Sequence, residues 1–335
     1  MSQPLEATEK CMRISDDRKR RIVSDLGLNF QYIKGQDIPV KDCWHFYTDG
    51  SAVDSLFYDD DDFRDGMNRI YKLSLVFKTD ILAFSLMDTH VHFALHGEFD
   101  ECSRFMHEFI RLTSYHISTR YGERNKLADL QIQYQMITTS RYLKTVICYI
   151  IKNAPVGGLP FTAYDYPWSS GPLMFRRNGY WTSPIWMNDP QTPSDTLLSV
   201  MSGKKKKNLL KAKYISDGDA RIMDGIVFPG EYVAYEIVEM LFRTHRSFNY
   251  FMCISKDSDI ESMEGFVSSL SIPIQEMRQH KSELCMQMFG KRDIRSLDIN
   301  QRLCLARTLK SRYNSSMKQI CRLCGLNYDE VRGII

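Results

Sequence analysis

Two histidines stand one residue apart in the segment LMDTHVHFAL (residues 86–95), an otherwise apolar run with the composition of a β-strand. Side chains alternate between the two faces of a strand, so His90 and His92 point the same way with their Cα atoms about 6.8 Å apart. Two neutral imidazoles placed in this way can bind one divalent metal ion. The alternative interpretation is an incidental pair. His96 has the same parity but lies toward the end of the strand, where we interpret it as a surface histidine.

A tyrosine and an asparagine form the second group, in the later apolar segment RYLKTVICYIIKN (residues 141–153). Tyr149 and Asn153 are four residues apart, so a helix places them on one face, and Thr145 continues that face. A tyrosine in an apolar helix is commonly a core residue, and an asparagine at a helix end is commonly a cap. Their spacing alone therefore indicates no chemistry.

The hydrophobic periodicity predicts the elements that must position these residues. Phe63, Met67, Ile70 and Tyr71 have helical spacing, and a tight turn is expected near residues 87–89. The predicted order is a strand at 42–51, a helix through 63–71, two strands within 80–97, an amphipathic helix at 101–121, a strand at 130–138 and a helix at 140–152. This strand-helix-strand-strand-helix-strand order predicts an α+β fold, a ferredoxin-like antiparallel sheet with covering helices.

The composition suggests two or three domains, because 335 residues with 43% hydrophobic content can bury a sizeable core. The predicted division is a polar N-terminal extension at 1–35, an α+β domain at 36–180, a linker with a lysine-rich segment at 181–230, and a helical C-terminal domain at 231–335. The net charge of +3 neither indicates nor excludes a nucleic-acid partner. Nine unpatterned cysteines, a charged N-terminus and short apolar runs predict a cytoplasmic protein with reduced thiols and no membrane partner.

The order of the motifs resembles the single-tyrosine HUH transposases of the IS200-like family, and most closely the REP-associated branch. Members typically carry an NHVH element, then a helix with Tyr-Leu, Tyr-Ile and Asn-Pro-Val, then Gly-Leu and a Tyr-x-Trp-Ser-Ser tail. Here these are THVHF (89–93), RYLKTVICYIIKNAPVGGL (141–159) and YPWSS (166–170). The resemblance covers roughly residues 40–175, so it identifies the predicted domain at 36–180 as an HUH domain.

The resemblance assigns roles to the four residues. His90, His92 and Asn153 would bind Mg²⁺ or Mn²⁺, and Tyr149 would attack a DNA phosphate to form a 5′-phosphotyrosine intermediate. Asp88-Thr89 replaces the Pro-Asn of the family, and an extra Ala154 separates Asn153 from Pro155. Some relatives have glutamine at the asparagine position.

The resemblance also implies the substrate and the setting. Relatives act on single-stranded DNA carrying small hairpins and occur as monomers or homodimers. With DNA as its partner, this cytoplasmic protein would be associated with the nucleoid. A DNA-binding regulator that keeps the HUH fold without catalysis is an alternative, because fold does not determine function. An RNA-binding ferredoxin-like module is a third, and it would require aromatic side chains exposed on the sheet.

Two basic segments are candidate DNA contacts through phosphate groups. GKKKKNLLKAK (203–213) contains six lysines and no acidic residue. These are Lys204, Lys205, Lys206, Lys207, Lys211 and Lys213; the alternative is a solvated linker. RKRR (18–21) is interpreted in the same way, whereas DDDD (59–62) is expected to favour a helix N-terminus.

The last thirty-five residues predict a helix-turn-helix at about 300–335. Ser316 and Gln319 form a capping-box pattern, and Gly325 ends the helix that they open. Residues 328–335 would be the recognition helix, and a helical hairpin without DNA contacts is the alternative. CRLC (321–324) is expected to pack in a core, because one CxxC motif without a second pair is weak as a metal site. The candidate DNA contacts are Lys318, Arg322, Tyr328 and Arg332.

Overall fold

The computed structural model describes most of the chain, in two compact units. The described residues are 16–29, 37–49, 53, 55–128, 130–157, 159–175, 195–212, 219–254, 274–291, 294–313, 317–327 and 331. One unit comprises Met1–Asn153 and Phe161–Ser255, and the other comprises Ala154–Pro160 and Lys256–Ile335.

The first unit contains a four-stranded antiparallel sheet, which confirms the predicted α+β class. Its strand order is β2-β3-β1-β4. The elements are α1 (Asp16–Asp25), β1 (Pro39–Thr48), α2 (Asp60–Ser74), β2 (Asp80–Leu86), β3 (Val91–His96), α3 (Phe99–Tyr121), β4 (Ile132–Thr139) and α4 (Ser140–Val156). Helix α2 begins in the acidic run, as predicted: the Asp59 side chain accepts a hydrogen bond from the Asp62 backbone N–H.

The alternation of side chains along β3 places helices on both faces of the sheet. Phe93 packs on α3, with ring centroids 5.7 Å from Phe105 and 5.4 Å from Phe109. His92 is the neighbouring residue and therefore faces the opposite side, where its ring lies 5.4 Å from that of Tyr149 on α4. Helices α3 and α4 thus cover opposite faces of the sheet.

The outer edge of β2 is covered by the Tyr-x-Trp-Ser-Ser segment. The Leu86 N–H donates to the Trp168 carbonyl at 2.9 Å, and the Ser170 N–H donates to the Phe84 carbonyl at 3.0 Å. The Tyr166 hydroxyl donates to the Leu86 carbonyl at 2.6 Å. These bonds satisfy backbone groups that an edge strand otherwise leaves exposed.

The prediction that His96 is a surface residue is wrong. His96 is 1% exposed, with Nδ1 3.0 Å from Asp80 and Nε2 3.2 Å from Asp25 of α1. Arg18 and Arg21 also form ion pairs with Asp80. The RKRR segment therefore helps to anchor α1 on the sheet, because its charges meet a buried carboxylate.

The described parts of the predicted linker at 181–230 instead contain strands and a helix of the first unit. Strands β5 (Asp195–Leu197), β6 (Arg221–Met223) and β7 (Ile226–Val227) form a second small sheet, and α5 (Gly203–Leu210) packs against α2. Asp224 and Gly225 both have positive φ, as the tight turn between β6 and β7 requires. Helices α6 (Tyr235–Phe242) and α7 (His245–Ile254) follow.

The second unit is helical in its described residues. It contains α8 (Ile274–Phe289), α9 (Ile299–Tyr313) and α10 (Met317–Cys324), which Gly325 ends at φ +59°, as predicted. Cys321 and Cys324 are buried in the apolar core of this unit with Leu305 and Leu309. Burial raises the pKa of both thiols, that of Cys324 to about 12, which agrees with a packing role for CRLC.

Among the described helices, none combines the length and the apolar character needed to cross a bilayer. The eight cysteines in the described part of the chain are all free thiols.

Substitution of Gly171 tests how closely α4 packs against the segment that covers β2. An added Cβ would lie 2.0 Å from the Ala163 carbonyl oxygen and 2.8 Å from Ile151 of α4. We expect Gly171→Ala to lower the free energy of unfolding by about 1–3 kcal/mol, the usual cost of overpacking, in urea denaturation. Gly203→Ala is the control, since nothing lies within 4 Å of its Cβ position. Equal stability of the two variants would contradict this close packing of Gly171 against Ala163 and Ile151.

Candidate active site

The two histidines occupy the turn and the start of β3. His90 directly precedes the strand, and its carbonyl accepts a hydrogen bond from the Met87 N–H at 2.8 Å, which closes the turn. His92 is the second residue of β3 and is 4% exposed. The two ring centroids are 5.1 Å apart, and the ring planes are nearly perpendicular. The sequence pattern thus correctly predicts that the rings are neighbours, although His90 lies outside the strand.

Asn153 of α4 reaches His90 across the sheet face. Its Oδ1 lies 2.9 Å from His90 Nε2, and Thr89 Oγ1 lies 3.0 Å from His90 Nδ1. Helix α4 continues through Ala154 and Pro155 to Val156, so Asn153 is a residue of the helix rather than its cap. The extra Ala154 therefore leaves the Asn153 amide directed at His90.

Tyr149 lies one turn before Asn153 on α4 and faces the same histidines. Its ring centroid is 5.4 Å from that of His92, with the rings at 86°. The residue is 8% exposed and is therefore largely buried. Tyr149, His90, His92 and Asn153 are therefore brought together, although about sixty residues separate the histidines from α4.

His45 is a further member of the site that the sequence analysis missed. It lies on the central strand β1 and is fully buried, with Nε2 3.1 Å from His92 Nδ1. Its ring centroid is 5.9 Å from that of Tyr149. A histidine within a strand between aromatic neighbours was the available signal, but only the β1–β3 pairing brings it to His92. This contact to Nδ1 leaves Nε2 as the His92 nitrogen for a metal.

The surroundings of His92 favour its neutral form. Burial lowers its pKa well below the ordinary value of 6.5, and the nearby His90 and His45 lower it further. A metal ligand must be deprotonated at the coordinating nitrogen, so a low pKa keeps His92 competent to bind a cation at neutral pH.

The donor set suits a small divalent cation with several outside ligands. His90 and His92 offer imidazole nitrogens, and Asn153 offers an amide oxygen, which Mn²⁺ accepts together with water or phosphate oxygens. Mg²⁺ prefers oxygen ligands more strongly, so this mixed set favours Mn²⁺ of the two. Within the part of the chain that the structure describes, no group of three or more His, Cys, Asp or Glu side chains is arranged as a metal site.

The lysine-rich segment forms helix α5 rather than an extended linker. Lys204, Lys205 and Lys207 are exposed and Lys206 is half-buried. Lys211 instead forms a 2.7 Å ion pair with Asp65 of α2, and its Nζ lies 2.8 Å from His116 Nδ1. It therefore fixes the end of α5, whereas Lys213 lies outside the described residues.

The C-terminal candidates are only partly covered by the described residues. Lys318 and Arg322 belong to α10. Tyr328, Arg332 and the predicted recognition helix at 328–335 lie outside the described residues, apart from Val331. Their DNA contacts stay predictions.

The lowered pKa of His92 makes the stability depend on pH in a defined direction. The unfolded chain binds a proton at His92 near pH 6.5, whereas the folded chain binds it only at lower pH. The free energy of unfolding should therefore fall as pH decreases below 6.5, with a slope approaching about 1.4 kcal/mol per pH unit. Urea denaturation between pH 7.5 and 5.0 measures this slope, and His92→Gln should reduce it.

The control for this experiment is His107→Gln. His107 is exposed on α3, so its side chain loses little hydration on folding and its removal should leave the slope unchanged. Asp62 and Asp65 have pKa values lowered from 3.8, so their protonation changes the free energy of unfolding only at more acidic pH. A slope that His92→Gln does not alter would contradict a neutral, buried His92.

Comparison of this chain with protein-family models, with curated proteins and with solved structures finds no match in any of the three. What links the chain to a function is therefore the ordered set of motifs and the geometry that brings His90, His92, Tyr149 and Asn153 together.

Proposed function

We propose that this protein is a metal-dependent, single-tyrosine HUH transposase that cleaves and rejoins single-stranded DNA at hairpin-bearing repeats. The observation that carries the proposal is the convergence of Tyr149 and Asn153 of α4 with His90 and His92 on one face of the sheet. In the HUH transposases that the motifs resemble, the corresponding residues are the nucleophile and the metal ligands.

The order of elements supports the finer assignment of the fold. From β1 to β4 the elements follow the order strand, helix, strand, strand, helix, strand, and the sheet order is β2-β3-β1-β4. A ferredoxin-like sandwich is expected to have this arrangement. Helices α2 and α3 cover one face of such a sheet and leave the other for the site. Here that second face carries His92 and is approached by α4.

The proposed reaction is a transesterification at one DNA phosphate. The Tyr149 oxygen bonds to phosphorus, the bond from phosphorus to the 3′ oxygen breaks, and the departing strand takes a proton to end in a 3′-OH. The phenol proton passes to solvent. The product is a 5′-phosphotyrosine link, which a 3′-OH can attack in the reverse reaction to rejoin DNA.

The other side chains of the site would bind the cation and orient the reacting groups. A cation held by His90, His92 and Asn153 would polarise the scissile phosphate and offset the charge that develops on its oxygens. His45 holds His92 through Nδ1, and Thr89 holds His90 through Nδ1, so both imidazoles are oriented by neighbours. The burial of Tyr149 limits the positions that its ring can adopt.

DNA binding is assigned to surfaces outside this site. The exposed lysines of α5 would contact phosphates, which contributes salt-dependent affinity without sequence selectivity. The helices α9 and α10 would belong to the proposed helix-turn-helix, which contacts DNA through Lys318 and Arg322 together with Tyr328 and Arg332. The protein would act as a monomer or a homodimer.

A covalent protein–DNA adduct is the direct test of the nucleophile. Purified protein is incubated with Mn²⁺ and a pool of single-stranded hairpins that carry randomised flanks and a 3′ label, because the 5′-phosphotyrosine link retains the 3′ fragment. We expect a labelled band at the mass of the protein on a denaturing gel. Tyr149→Phe should abolish it, since phenylalanine keeps the packing but has no oxygen.

Tyr47→Phe is the matched control for this test. Tyr47 is similarly buried, and its ring lies 5.8 Å from that of His92. The adduct should persist in this variant; an adduct that persists in Tyr149→Phe or disappears in Tyr47→Phe would refute Tyr149 as the nucleophile. DNA binding without an adduct, while an active single-tyrosine transposase forms one on its own hairpin, would favour the regulator instead.

Metal binding is tested separately from activity by thermal unfolding. Mn²⁺ should raise the midpoint of unfolding of the wild type, because a ligand that binds only the folded state stabilises it. His90→Ala and Asn153→Ala should each reduce this shift, since each removes one proposed ligand. His107→Ala is the control on the surface of α3. A Mn²⁺ shift that is equal in all of these proteins would exclude the proposed ligand set.

A further inference from the structure

A cavity lies within the first unit, on the side of the sheet opposite Tyr149. Its volume is about 260 Å³, and it lies between α2, α3 and the end of α5. Charged, polar and apolar side chains line it, among them Asp65, Arg69, Lys72, Arg120 and Lys211.

The walls of this cavity carry more positive than negative charge. Arg69, Lys72, Arg120 and Lys211 are cationic, whereas Asp65 is the carboxylate among the wall residues. Arg120 is balanced from outside the cavity, because it forms ion pairs with Asp59 and Asp62. Asp65 is therefore the wall carboxylate that remains to pair with Arg69, Lys72 and Lys211.

Asp65 is shared between two of these cations. Arg69 and Lys211 both form ion pairs with it, and Arg69 also donates to Thr113 Oγ1 at 2.5 Å. Burial by itself raises the pKa of the Asp65 carboxyl, but Arg69, Lys211 and His116 together hold it below its ordinary value. The single charge of Asp65 thus faces two cations, the buried Arg69 and the exposed Lys211.

Lys72 is the cation without a carboxylate at ion-pair distance among the described residues. Its pKa is lowered, first by partial burial and then by the charge of Arg69 one turn away on α2, although the charges of Asp65 and Glu108 oppose this shift. Holding a half-buried ammonium beside a buried guanidinium costs free energy, because like charges repel more strongly at lower dielectric. An anion in the cavity would relieve this repulsion.

The remaining walls are partly apolar, because two leucines and a tyrosine lie beside the polar Asn68, His116 and Thr119. Leu112 and Leu210 line the cavity, and Tyr115 stands at its rim with 67% of its surface exposed. An exposed tyrosine ring is a surface on which a planar base can stack. The site therefore combines cations suited to phosphate with an apolar platform suited to a ring.

We propose that this cavity binds a nucleoside monophosphate group, with the phosphate at Lys72 and Arg69 and the base on Tyr115. The group can be a free nucleotide or a 5′-phosphorylated nucleotide at the end of a DNA strand. The proposal is independent of strand cleavage by Tyr149, since the two sites lie on opposite faces of the sheet.

Calorimetric titration of the full-length protein in a buffer free of phosphate and sulfate tests this site. The probes are deoxyadenosine monophosphate, inorganic phosphate and deoxyadenosine. We expect binding to decrease in that order, with none for the uncharged nucleoside. Lys72→Met should weaken nucleotide binding roughly tenfold or more, the usual effect of losing a hydrogen bond to a charged group. Absence of nucleotide binding at millimolar concentration would overturn the proposal.

Two further variants separate binding from folding. Lys72→Met should unfold at the same or a higher temperature than the wild type, because it removes a poorly accommodated charge, so lost binding would not reflect lost structure. Tyr115→Ala should reduce nucleotide affinity to that of inorganic phosphate. Lys41→Met, which removes an exposed lysine of β1, is the charge control and should bind as the wild type does. Unchanged affinity in Lys72→Met would refute the site.

The source of the nucleotide is determined by competition in the Tyr149→Phe protein. A short single strand with a 5′ phosphate that displaces deoxyadenosine monophosphate supports the site with a DNA end as its ligand. If the strand does not displace deoxyadenosine monophosphate, the result supports a site whose ligand is a free nucleotide. Equal displacement by strands with and without the 5′ phosphate would contradict recognition of the phosphate by Lys72.

Discussion

The packing of α4 against the histidine face of β3 is the contact on which the candidate active site depends. Strand β3 is buried on both sides, so each of its side chains packs against one of the two faces of the sheet. Phe93 completes the core beneath α3, and His92 on the other face meets Tyr149. A shift of one residue in the β1–β3 register would exchange these faces and place a phenylalanine where the imidazole stands. The apolar core therefore holds the polar site in place.

Contacts among the polar groups of this site offset part of the cost of burying them. His45 and His92 contact each other within the sheet, and Asn153 contacts His90 at its margin. An isolated buried imidazole would lose hydration without compensation. The same contacts orient the rings, so the interactions that stabilise the folded chain also preorganise the groups proposed to bind a cation.

Some basic residues of this chain form ion pairs within the fold, and others are exposed to solvent. Arg18 and Arg21 hold α1 through Asp80, and Lys211 holds the end of α5 through Asp65. Lys204, Lys205 and Lys207 stay exposed on α5. A cluster of lysines or arginines is thus not by itself a nucleic-acid surface, because a partner carboxylate within the fold can engage individual members.

The amino-acid pattern by itself determined the local features of this protein. Periodicity predicted the strands and helices of the sheet domain, the acidic run predicted the start of α2, and the helical spacing placed Tyr149 and Asn153 on one face. These are properties of neighbouring residues, which backbone geometry and hydrophobic alternation control. The pattern could not show that His45 meets His92, that His96 is buried between Asp80 and Asp25, or that residues 195–212 and 219–231 fold with the sheet domain. Strand pairing and ion pairing between residues far apart in the chain decide those features, and only the tertiary structure brings such partners together.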